Sequence, residues 1–85
     1  MIVGVVRDEA AAPVKDVRVY FTHAPVAIPD VAALTGADGK FMLGAPVDGS
    51  YTIECAAEGF DTVRRTVVIT ERDEEVEINL APRIP

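Results

Sequence analysis

Few side chains in this sequence belong to the kinds that carry chemistry. His23 is its one histidine, Cys55 its one cysteine and Ser50 its one serine. A catalytic nucleophile needs a base within hydrogen-bond reach, and a general acid or base needs a partner that tunes it. His23 ends an apolar alternating run, Ser50 falls in a turn before Tyr51, and Cys55 shares an apolar stripe with Tyr51 and Ile53. No spacing brings the three together. His23 reads as a solvated or capping residue. Cys55 reads as core, where a thiol in apolar surroundings has a raised pKa and is inert. Asp38, Asp48 and the Glu71, Asp73, Glu74 group offer hard oxygens of the kind calcium takes, but their spacing matches no calcium loop, and solvated turns account for them. The expectation is no catalytic residue, no metal and no cofactor.

Two features point instead to contact with another molecule. Ala24-Pro25-Val26-Ala27-Ile28-Pro29-Asp30 is an apolar connection stiffened by two prolines. It either presents Val26 and Ile28 as a preformed surface or folds over one end of the core and completes it. Pro25, Val26, Ile28 and Pro29 are therefore candidate partner contacts. Tyr20 joins them as the one aromatic side chain that strand alternation turns outward.

The elements that must hold these residues show a period of two. Val17, Val19 and Phe21 alternate with Arg18, Tyr20 and Thr22, as a half-buried strand requires. Tyr51, Ile53, Cys55 and Ala57 form one stripe, and Val76, Ile78 and Leu80 another. Val63, Val67 and Ile69 line one side of a further segment, with Arg65 as the exception expected at a rim or bulge. The β-branched run Thr66 to Thr70 argues against a helix there. Turn signals separate these runs: Asp8 to Pro13, Gly36 to Gly39, Pro46 to Gly49, Glu58-Gly59 and Glu71 to Glu74. Gly39 is expected to close a hairpin between Val31–Leu34 and Phe41–Leu43, and the Pro46 to Gly49 turn another before Tyr51. About seven strands follow, as an all-β sandwich of antiparallel sheets.

Length and charge narrow the function classes. Residues 1–85 are expected to form one domain, because a chain this short buries only ~60% of its unfolded surface and needs a single core. Fourteen acidic against 8 basic residues give a net charge of -6. That balance speaks against nucleic acid and against anionic membrane surfaces, which both attract clustered Lys and Arg. No apolar run approaches the ~20 residues that span a bilayer, so membrane insertion is not expected. Met1 to Arg7 lacks the pattern of a secretory signal, and the chain as given reads as cytoplasmic.

Successive blocks of the sequence resemble the carboxypeptidase regulatory-like domain. They are Gly4-Val5-Val6-Arg7-Asp8, Pro13 to Val19, Thr35-Gly36-Ala37-Asp38-Gly39-Lys40-Phe41-Met42-Leu43, Asp48 to Ile53, and Ala57-Glu58-Gly59-Phe60. That family is similar to transthyretin and to the collagen-adhesin B-type repeats, and the resemblance implies a prealbumin-like sandwich. Domains of this kind are usually noncatalytic accessories and often extracellular, so fold alone assigns no activity.

Three relatives of the fold carry a function that can be checked against residues. Collagen-adhesin repeats join a first-strand Lys to a last-strand Asn beside a buried acid. Here Asn79 is on the last strand, the first strand has no Lys, and Cys55 stands where the acid belongs. Hydroxyisourate hydrolases use several His and Arg residues and a C-terminal Tyr-Arg-Gly-Ser, whereas this chain ends Ala81-Pro82-Arg83-Ile84-Pro85. Starch-binding modules present aromatic platforms. With no Trp, Tyr20 is the one candidate here. The expected function is a noncatalytic structural or protein-interaction module, with a carbohydrate-binding accessory domain as the alternative. Unpaired strand backbones also allow a homodimer through an edge strand, against which Arg18, Arg64 and Glu77 would act.

Overall fold

Where apolar and polar residues alternate, the chain is extended. The computed structural model describes residues 1–28, 32–71 and 73–83. Its strands are β1 (Ile2–Arg7), β2 (Arg18–His23), β3 (Ala33–Leu34), β4 (Lys40–Leu43), β5 (Gly49–Ala56), β6 (Val63–Ile69) and β7 (Glu74–Asn79). No helix occurs among the described residues. The strands form a three-stranded sheet in the order β4-β1-β7 and a four-stranded sheet in the order β3-β2-β5-β6.

The inward stripes of the two sheets meet as one core. Ile2, Val6, Phe41, Leu43, Ile78 and Leu80 face Val17, Val19, Tyr51, Ile53, Cys55, Val67 and Ile69. Each such side chain contributes about 1.5–3 kcal/mol by leaving water. Arg65 is exposed opposite Ile53, so the stripe on β6 is broken at the position the pattern marked. Tyr51 is fully buried, and its hydroxyl is satisfied inside: it donates to the carbonyl of Val47 (2.6 Å) and accepts from the Val47 amide (3.2 Å). Thr35, also buried, accepts from the Val17 amide (2.9 Å) and donates to the Val14 carbonyl (2.7 Å), which ties the β2 entry to the segment after β3.

The antiparallel expectation holds for four ladders and is corrected at the fifth. β1 and β7 pair in parallel, from Ile2 opposite Glu74 to Arg7 opposite Asn79. Parallel neighbours need a long crossover, and here the whole of the second sheet lies between the two strands in sequence. A second correction concerns the turns at Gly36–Gly39 and Pro46–Gly49. Gly39 does adopt positive φ (75°), and the Gly36 amide reaches the Lys40 carbonyl (3.2 Å). The flanking strands, however, separate into different sheets, so neither turn closes a hairpin. The segment predicted as Val31–Leu34 is a strand at Ala33–Leu34, and Val31 lies outside the described residues.

The first break is organised by Asp8, whose Oδ1 accepts from the amides of Ala10 (2.9 Å) and Ala12 (3.0 Å). That bend returns Pro13 beside Arg7 and lets the Val14 amide reach the Val6 carbonyl (2.9 Å). The chain thereby leaves the first sheet for the second. The two sheets end alike on each side: β3 lies beside β4 and β6 beside β7.

Candidate functional site

On the β3 and β4 side, where the two sheet edges meet, lies an apolar cleft of about 770 Å³. β4 and the turn after it supply Met42, Leu43, Gly44, Ala45 and Pro46, and the other wall is Ile28, Ala32 and Ala33. Phe21, half-buried and tilted against Tyr51 with ring centroids 5.2 Å apart, also lines it, as does Met1. Among the described residues no charged side chain lines it. The volume is that of a ligand or side-chain docking pocket.

Among the described residues the large exposed hydrophobic ones are Met1, Val26, Leu34, Met42, Val47 and Val68. Met1 and Met42 line the cleft and Val47 borders a neighbouring hollow, while Leu34, paired with exposed Arg18, turns to the face opposite Ala33. Val26 sits two residues before Ile28. Val68 is on β6. Exposed apolar residues are ordinary singly, but Met1 and Met42 beside one apolar cleft mark a candidate interaction surface.

The predicted loop contacts divide between the two readings proposed for them. Pro25 packs on Gly49, where an added Cβ would come within 2.9 Å of its ring. Ala24 packs on the core, so this start of the loop does close the sandwich end. Ile28 enters the cleft wall, while Val26 stays exposed. Pro29 lies outside the described residues. Tyr20 is elsewhere, on the outer face of the four-stranded sheet. Its hydroxyl donates to Glu54 Oε2, and Arg64 donates to Glu54 Oε1 (3.0 Å). That bond to Glu54 raises the Tyr20 pKa, and the Tyr20 hydroxyl followed by the Arg64 guanidinium lowers that of Glu54. The phenol hydroxyl is thus fastened to Glu54.

Sequence reasoning named Ile28 but passed over Met42, Ala45, Pro46, Phe21 and Ala33. One signal was present: in Lys40-Phe41-Met42-Leu43 the alternation assigns Met42 to the outward phase, where an apolar residue has no core to fill.

The residues of reactive type stay apart. His23 is exposed at the end of β2, opposite Thr52. Cys55 is fully buried, and desolvation pushes its thiol up to about 11, with Glu54 adding to the rise and Arg65 opposing it. At pH 8 the native thiol then carries roughly a hundredth of the thiolate of an unfolded cysteine. Ellman's reagent is expected to label the native protein at least that much more slowly than the chain in denaturant, and fast native labelling would contradict the burial. The acids serve as turn acceptors: Asp38 receives the Lys40 amide (3.0 Å) and Asp48 the Glu71 amide (3.0 Å). Among the described residues no three His, Cys, Asp or Glu side chains group as metal ligands.

The family model of the carboxypeptidase regulatory-like domain matches residues 1–81. No curated protein matches the chain. Among solved structures, a chain from the crystal structure of a type II cohesin–X-dockerin complex of Acetivibrio cellulolyticus is similar, with a TM-score of 0.71 at 18% identity. The match covers 93% of this chain and 55% of that one, so the sequence corresponds to about half of its neighbour and shares its fold.

Proposed function

We propose that this chain, which belongs to the carboxypeptidase regulatory-like domain family, is a noncatalytic protein-interaction module that meets its partner on the β3 and β4 side. The carrying observation is the apolar cleft between those two edges, with the exposed Met1 and Met42 in its lining. Cys55 is buried and protonated, and His23 stands in solvent without an ion-pair partner among the described residues, which leaves the surface to act by contact. The structural neighbour comes from a protein–protein complex, in line with this reading.

The test compares two kinds of ligand. Native electrophoresis through gels containing starch, xylan or other polysaccharides is expected to show no retardation, because Tyr20 is held by Glu54 and offers no free platform. Cross-linking in an extract of the source cells is expected to trap a protein. That capture should fail for Val26→Ser with Ile28→Ser in a variant that still melts cooperatively. Retardation by a polysaccharide that Tyr20→Ala abolishes would replace this reading with a carbohydrate-binding one. Capture that is indifferent to the two substitutions would move the contact off this side.

A further inference from the structure

The cleft does not end at its apolar lining. Met1, Ala45 and Pro46 also border an adjoining hollow lined by Asp48, Glu71 and Asp73, with no Lys or Arg among its described residues. Arg72 lies outside the described residues, yet residues 71–74 still hold three acids against one base. Asp48 accepts the Glu71 amide (3.0 Å) and Asp73 lies 3.3 Å from the Met1 amine, contacts that hold the carboxylates in place and leave a negative surface. With a net charge of -6 behind it, this rim favours a cationic partner.

The backbone beside the cleft has an opening of its own. The Val6 amide donates to the Gly39 carbonyl (2.8 Å), which makes that facing pair a hydrogen-bonded one. Because antiparallel pairs alternate, Phe41 and Leu43 turn their amides to β1, and Lys40 and Met42 turn theirs to the free edge. The Lys40 amide and carbonyl are taken by Asp38 and Gly36. Among the described residues Met42 is left with an outward N–H and C=O, on an edge strand that has no further neighbour in its sheet.

We propose that this side binds an extended peptide segment of a partner protein by strand addition at Met42, its apolar side chains entering the cleft and its Lys or Arg residues meeting Asp48, Glu71 and Asp73. The proposal rests on the protein-interaction reading and gives it a partner chemistry. Main-chain bonds at Met42 supply part of the affinity, alternate side chains the fit, and the acidic rim the direction in which the segment runs.

Selection of random twelve-residue peptides displayed on phage, with the full chain as bait, tests it. Enriched sequences are expected to combine alternating apolar residues with terminal Lys or Arg. Met42→Glu, at a position 60% exposed, should weaken a selected synthetic peptide by on the order of tenfold or more while the melting curve is retained. Glu71→Gln with Asp73→Asn should weaken it about threefold at low salt and less at high salt. No enrichment, enrichment of acidic peptides, or peptides whose binding ignores Met42→Glu would each overturn the proposal. In the last case the selected peptides still bind the protein, so the wider reading would stand while this site would not. A chain that sediments as a dimer and becomes monomeric with Met42→Glu would give the cleft to a second copy and also end the proposal.

Discussion

Gly39→Ala is expected to cost about 3–5 kcal/mol, enough to unfold much of the population of a chain whose whole stability is on the order of 4–13 kcal/mol. Two effects act together. The residue holds φ at +75°, which costs a side-chain-bearing residue about 1–2 kcal/mol. The added Cβ would also stand 2.4 Å from the Val6 carbonyl oxygen and 3.1 Å from the Pro13 Cβ. Val6 is not free to retreat, because its carbonyl accepts from Val14 and its amide donates to Gly39. The clash is therefore with backbone at the point where the Asp8–Pro13 bend, β1 and the entry to β4 converge.

Two other glycines separate these effects. Gly59 has φ of +84° but open space around its Cβ position, so Gly59→Ala should show the conformational cost alone, about 1–2 kcal/mol. Gly44 has neither positive φ nor a neighbour within 4 Å, and Gly44→Ala should fall within about 0.5 kcal/mol of the parent. Urea denaturation followed by circular dichroism reads all three from shifts in the midpoint at constant slope. Equal costs at Gly39 and Gly59 would refute the clash with Val6.

That junction also shows what sequence can and cannot carry. Asp38 and Gly39 announce a reversal, because short polar side chains and positive φ are local chemistry. Which sheet the chain enters afterwards depends on β1 occupying the space beside β4, an encounter between residues more than 30 positions apart, such as Gly4 and Phe41. The same limit hid the parallel pairing of β1 with β7, since alternation fixes which side faces inward and is silent on the neighbour's direction. Within strands the reading was good: the stripes through Val17, Tyr51 and Ile78 are the buried ones. The candidate site was only half legible. Ile28 stood out because prolines flanked it, but the cleft comes from two sheet edges that converge, and neither Ala33 nor Ala45 has a side chain that would distinguish it in sequence.

Gly4→Ala is expected to be nearly as damaging, about 3 kcal/mol, for a reason of packing alone. Gly4 lies in the inward phase of β1, between buried Ile2 and Val6, where alternation would otherwise ask for a large apolar residue. Its space is already filled. Phe41, directly opposite on β4, lays its ring over the position, and a Cβ there would come within 2.4 and 2.5 Å of two ring carbons and 2.8 Å of a Val76 methyl. The ring is only 3% exposed, so it yields by shifting the core and not by swinging into water. The neighbours thus predict a specific rescue. Phe41→Leu alone leaves a partial cavity and destabilises, yet in combination with Gly4→Ala the two costs should fall short of additivity by about 1–2 kcal/mol, because each relieves the other. A double-mutant cycle by urea denaturation measures that coupling. Strict additivity would mean that the Phe41 ring is not what excludes a side chain from position 4, and that the glycine answers to some other demand of β1.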